Sequence, residues 1–170
     1  MKLIEPCEQY LLSYMDALRE YREHNVSTYF FTDADKCDIF EKFENYRTES
    51  NLPSNRVGAH FYWLVDEKQE RFIGEISIRH CLTDALERYG GHIGYGIRYT
   101  CWNQGYGTEM LRLALEKAKE LGLSYILITC DDDNVASAKV MEHNGFYLKD
   151  KIPNCIDGQS IVTRRYEKNI

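Results

Sequence analysis

Between residues 90 and 130 the chain spells a strand, a tight glycine turn, a long helix and a second strand, and this order constrains the fold more than any other feature. Gly90 to Arg98 is extended in pattern, with Ile93, Tyr95 and Ile97 alternating against His92, Gly94 and Gly96. Gly107 to Leu121 carries Leu111, Ala114, Leu115, Ala118 and Leu121 on one helical face, and Gly122 follows where a left-handed residue closes a helix. Ser124 to Cys130 is a short, nearly all-apolar strand. Two strands joined through a helix form a crossover, so the rest of the chain must be arranged around a sheet that contains it.

The flanks agree with such a sheet. Tyr10 to Arg22 has Leu11, Tyr14, Met15 and Leu18 at helical spacing, and Ile39 to Tyr46 is a second amphipathic stretch. Strands are expected only from about His60, where His60 to Val65, a polar turn over Asp66 to Glu70, and Arg71 to Arg79 read as a hairpin with Phe72, Gly74, Ile76 and Ile78 on one face. Asn134 stands as the N-cap of a helix ending near Asn144-Gly145, and Phe146 to Lys151 and Ser160 to Tyr166 are extended. The expected class is α/β (α+β), a mixed, mostly antiparallel central sheet flanked by helices. The 170 residues hold no repeat, low-complexity tract or linker, so a single domain over 1–170 is expected, of a size that buries roughly 70% of its unfolded surface.

Charge and cysteines narrow the function. A net charge of -6 with no Lys/Arg run opposes a polyanion, so no nucleic-acid partner is expected and any bound phosphate needs local donors. Apolar runs fall well short of the ~20 residues that span a bilayer, and no leader-like segment opens the sequence; no membrane partner and a cytoplasmic location are expected. Six cysteines without a Cys-x-x-Cys pair read as reduced, structural thiols. The histidines are dispersed and Asp131 to Asp133 precede a helix, where negative charge is favourable, so no metal is expected.

The chemistry concentrates in the turn from Arg98 to Met110. Gly105 and Gly107, one residue apart at the head of the best helix, let the backbone turn tightly and aim several N–H groups at one point, at the positive end of the helix dipole. That is a cradle for a pyrophosphate. No Gly-Lys-Ser/Thr follows, so it is not a Walker loop, and the third glycine of the dinucleotide fingerprint is missing.

Trp102 to Gly107 resembles the Gln/Arg-x-x-Gly-x-Gly/Ala signature of the GNAT superfamily of acyl-CoA N-acetyltransferases, departing from it at Trp102. A second block, Asn134, Ser137, Glu142, Gly145 and Phe146, is similar to the Asn-x-x-Ser-x-x-x-x-Glu-x-x-Gly-Phe run that follows the family's next strand. The similarity covers about Phe61 to Phe146 and is closest to the branch of ribosomal-protein N-terminal acetyltransferases. It implies a sheet splayed at the acyl-CoA site, with pantetheine on the strand backbone around Ile97, Arg98 and Tyr99. The pyrophosphate would lie on the amides of Gln104, Gly105, Tyr106, Gly107 and Thr108, and Asn134 would bond the pantetheine amide while capping its helix. It also implies acetyl-CoA as cosubstrate and direct transfer, in a ternary complex, to a primary amine of a small molecule or a protein N-terminus.

Such a transfer needs a base for the amine, oxyanion donors and a proton for the thiolate. His92 lies near the position from which several relatives supply a Glu, and Glu75 on the neighbouring hairpin strand is the second candidate base; packing for His92 and solvent exposure for Glu75 are the structural alternatives. Met141 occupies the position of the family's usual Tyr acid and cannot donate. Ser137, one turn earlier, matches the serine proposed as acid in the ribosomal-protein branch, and otherwise helps to finish the helix end. Cys130 brings a cysteinyl route into question, but no local partner argues for an activated thiolate. The competing functions are a CoA-binding sensor or interaction module that has lost catalysis, and a nucleotide-binding protein using the same turn. Tyr29, Phe30, Phe31 and Tyr62 form either a dimer surface or core.

Overall fold

The computed structural model describes residues 1–26, 31–156 and 158–170. Its elements are β1 (Lys2–Ile4), α1 (Leu11–Glu23), α2 (Ile39–Thr48), β2 (Ala59–Asp66), β3 (Arg71–Arg79), α3 (Asp84–Arg88), β4 (Ile93–Ile97), α4 (Tyr106–Glu120), β5 (Tyr125–Asp131), α5 (Val135–His143), β6 (Tyr147–Ile156) and β7 (Gln159–Asn169). Helices α2 and α5 start where side chains satisfy their orphan amides: Asp38 accepts from Phe40 and Glu41, and Asn134 accepts from Ser137.

The strands form two sheets, β1-β2-β3-β4 and β5-β7-β6, every adjacent pair antiparallel. The first is packed on both faces. Ile76, Ile78 and Ile93 join Met110, Leu111 and Ala114 of α4 and Ala138 and Met141 of α5 in one core. On the opposite face Trp63, Val65 and Phe72 join Tyr14, Met15, Leu18 and Tyr21 of α1 and Ile39 and Phe43 of α2. Tyr14 stacks on Trp63 with ring centroids 4.8 Å apart, and Phe72 meets Tyr14 edge-on at 5.0 Å.

Between β4 and β5 no ladder forms. The sheets touch at one seam, where His92 N–H donates to the Leu127 carbonyl (2.7 Å), Leu127 N–H donates to His92 Nδ1 (3.0 Å) and Gly90 N–H donates to Thr129 Oγ1 (2.8 Å). Gly91 makes this approach possible: its φ is +61°, and a Cβ there would stand 2.4 Å from the Leu127 oxygen. Beyond the seam the strands diverge, the splay that the resemblance implies.

Several expectations are corrected. Strands begin with β1 rather than near His60; three residues are too short to show a period, and pairing with β2 makes them a strand. The segment from Leu82 to Gly91 contains α3, capped by Thr83. A bulge opposite Leu64/Val65 reverses the alternation, so Phe72 faces away from Ile76 and Ile78. β6 and β7 run longer than their apolar cores because each pairs along its whole length. Phe31 and Tyr62 are buried in the protein's own core, which removes them from any dimer surface; Tyr29 and Phe30 lie outside the described residues.

Candidate active site

A cleft of about 720 Å³ lies between β4, the α4 turn and α5, with Tyr21 of α1 at its edge, within the size range of small-molecule sites. Its floor is the glycine turn. Gly105 has φ +83° with open space where a Cβ would be, and no side chain caps the amino end of α4. The first-turn amides therefore have no intrahelical acceptor and are available to an anion. Gly107 is a close approach, since a Cβ there would meet Val140 of α5 at 3.2 Å. Among the described lining residues Lys139 is the one Lys or Arg side chain, His143 lies beside it in the lining, and no carboxylate lines the cleft. An acidic protein thus carries a locally anion-compatible site, which answers the need for local phosphate donors.

Gly105, Tyr106, Gly107, Thr108, Ile97, Asn134 and Ser137 are brought together in this lining. The Ile97 carbonyl already accepts from Tyr21 Oη (2.5 Å) and Trp102 Nε1 (2.8 Å), so a ligand can bond Ile97 only through its N–H. Trp102, the departure from the family signature, uses its indole to tie the turn to the strand.

Three expected cofactor residues stand elsewhere. β4 ends at Ile97, and the Arg98 N–H returns to the Ile73 carbonyl at 2.7 Å. The Arg98 guanidinium is buried against Glu20 (2.6 Å) and Ser13 Oγ (3.0 Å), where it fastens α1 to the sheet. Burial opposes ionisation of Glu20, but bonds from Arg98 and Thr100 outweigh it and hold its carboxyl below the usual range. Tyr99 begins a 3-10 turn and stacks on His24 at 3.9 Å. Gln104 folds back, its Nε2 donating to the Thr100 carbonyl at 3.0 Å, and does not line the cleft.

The proton-handling candidates separate by face. Ser137 Oγ lies 2.8 Å from Tyr95 Oη across the cleft. Tyr95 is absent from the sequence-derived set because alternation with Ile93 and Ile97 makes it look like core. Burial pushes its phenol up to about 12. Cys130 sits on the same face, and burial pushes its thiol up to about 11, which keeps it protonated. Met141 is wholly enclosed in the core.

His92 is buried in the seam, outside the cleft lining, with Nδ1 occupied by the Leu127 N–H. Burial lowers its basicity. Glu75, far from facing solvent, is 1% exposed and accepts from Trp63 Nε1 at 2.9 Å. Burial raises its carboxyl to about 7, and its register partner across the β3–β4 pair is Gly96, which lines the cleft. Residues opposite one another in a ladder share a face, so Glu75 underlies the side of β4 left bare by Gly94 and Gly96.

Among the described residues no three His, Cys, Asp or Glu side chains are grouped to hold a metal, and no helix is long and apolar enough to cross a membrane.

Comparison with known proteins gives this geometry a family. RimL, a ribosomal-protein alpha-N-acetyltransferase in complex with coenzyme A as a CoA–cysteine disulfide, superposes with a TM-score of 0.73 at 17% identity, over 99% of this chain and 93% of that one. A ribosomal-protein-alanine N-acetyltransferase from Brucella melitensis gives 0.70 at 14% identity over 100% of both chains. The microcin C7 self-immunity acetyltransferase MccE in complex with acetyl-CoA and AMP gives 0.71 at 18%, over 99% and 91%. A search of curated proteins finds no sequence match. The family described as acetyltransferase (GNAT) domain matches residues 10–147, and the chain belongs to that family of acyl-CoA-dependent N-acetyltransferases.

Proposed function

We propose that the protein moves an acetyl group from acetyl-CoA directly to a primary amine, of a small molecule or a protein N-terminus, within a ternary complex. The observation that carries this reading is the placement of an uncapped helix end and the Ser137 hydroxyl in one cleft, with the near-neutral carboxyl of Glu75 under the glycine face of the same strand. The uncapped amides of Tyr106, Gly107 and Thr108, together with Lys139, would hold the pyrophosphate, and the N–H of Ile97 and the Asn134 side chain would hold pantetheine. Acetyl-CoA supplies the acyl group and the thiol leaving group.

Glu75 takes the proton of the incoming ammonium, since a carboxyl near 7 is matched to that exchange at neutral pH. Ser137 gives a hydrogen to the departing sulfur. Cys130 stays a protonated thiol and forms no acyl intermediate. Structural neighbours whose ligands are coenzyme A or acetyl-CoA support the cosubstrate, and the ribosomal-protein acetyltransferases among them support a protein N-terminus as one acceptor class. The Tyr95–Ser137 pair favours an enzyme over a sensor that has lost its acid at Met141. The six unpaired cysteines fit a reducing, cytoplasmic setting.

Isothermal titration with acetyl-CoA, CoA, ATP and NAD, then thiol release over an amine panel, tests the reading. Acetyl-CoA and CoA bind, ATP and NAD do not, Gly105→Asp abolishes binding, and at least one amine is acetylated. No acetyl-CoA binding overturns the site; binding without any turnover overturns the enzyme in favour of the sensor.

A further inference from the structure

We propose that Tyr95 is the positioning residue of the acid: its phenol donates to Ser137 Oγ and leaves the serine's own hydrogen to point into the cleft. The inference rests on the reading of Ser137 as the proton donor and names the group that makes it one.

A serine near a helix start ordinarily turns its hydroxyl toward the backbone of its own helix. Among the described residues Ser137 makes no such bond; its backbone N–H is held by the Asn134 cap (3.0 Å) and its Oγ by Tyr95 (2.8 Å). This is the one side-chain hydrogen bond joining β4 to α5 among the described residues, and both partners line the cleft. Two hydroxyls at that distance share one hydrogen, and the more acidic donates. A phenol is more acidic than an aliphatic alcohol even when burial has raised it to about 12. Tyr95 is thus the donor, and it remains neutral throughout the working pH range. Ser137 Oγ then has a lone pair engaged by Tyr95, and its own hydrogen is left for a second acceptor, for which the Cys130 sulfur beside it also competes.

In the step itself Glu75 has passed the ammonium proton on to solvent; the amine nitrogen bonds the acetyl carbon, the C–S bond breaks, and the surplus proton on nitrogen passes to Glu75. Sulfur receives the Ser137 hydrogen as the Tyr95 hydrogen passes along their hydrogen bond to the serine oxygen, and the phenol is reprotonated from water. A plain strut between two walls would need only the contact; the positioning role needs the donor.

The test compares wild type, Ser137→Ala, Tyr95→Phe and the double variant. Acetyl-CoA affinity is read by titration, and kcat is read by thiol release with the best acceptor of the panel and with water as acceptor. Phe keeps the ring in place, and equal thermal unfolding midpoints confirm that the fold is intact. We expect each single variant to lose about 100-fold in kcat, as for a missing general acid, with acetyl-CoA Kd within twofold and the double variant no worse than Ser137→Ala. Full kcat in Tyr95→Phe with loss in Ser137→Ala overturns the positioning role and leaves the acid standing. Multiplying losses in the double variant, or a Tyr95→Phe defect confined to Kd, overturn it as well. Full kcat in Ser137→Ala, or a wild type without turnover of amine or water, overturns the reading beneath it.

Discussion

Replacing Glu75 by Gln separates its cost to folding from its use in chemistry. The carboxyl is 1% exposed, and burial is the dominant cause of its rise from 4.5 to about 7, against smaller lowering by the Trp63 bond and by Lys42. A carboxyl whose folded value lies above its unfolded value favours the fold fully below about 4.5, and that favour is lost as pH rises through about 7. A rise of about 2.5 units at ~1.36 kcal/mol each amounts to on the order of 3 kcal/mol. Gln keeps an oxygen for Trp63 Nε1 and carries no charge at any pH. Urea unfolding at pH 4.5 and at pH 8 therefore shows wild type losing on the order of 3 kcal/mol relative to Glu75→Gln between the two. The same variant loses about 100-fold or more in kcat at neutral pH, with acetyl-CoA affinity retained. Parallel pH dependence of the two proteins would refute the raised carboxyl, and full turnover would remove Glu75 from the base role.

Two further substitutions probe the frame of the cleft. Gly91→Ala forces a left-handed alanine, at ~1–2 kcal/mol, and drives its Cβ into the Leu127 carbonyl; thermal unfolding should show a loss of at least that size, and titration a weaker acetyl-CoA complex as the seam parts. Arg98→Ala leaves the partly buried Glu20 without its guanidinium partner and should cost up to about 3–5 kcal/mol in urea unfolding.

The parts of the fold carried by local pattern are legible in the sequence. Helical spacing places α1, α2 and α4, and Asn134 and Gly122 mark helix ends through cap chemistry that acts within a few residues. The cradle at Gly105 to Thr108 is equally local, because a glycine turn at a helix head presents its amides whatever lies around it. What needs a distant partner is not legible: β1 exists through β2, and Phe72 changes face through a one-residue bulge.

The same division runs through the active site. Residue types and spacing determine the family, the glycine turn at the head of α4 and the candidacy of Ser137, Asn134 and Glu75. Tertiary structure alone decides that His92 is engaged in the seam, that Arg98 belongs to Glu20, and that Tyr95, apolar by alternation, meets Ser137 across the cleft. It also decides that Glu75 is enclosed by α1 and α2 partners of Trp63 and so titrates near 7. Burial and long-range hydrogen bonds set protonation and orientation, and both are properties of the packed chain rather than of any stretch of it.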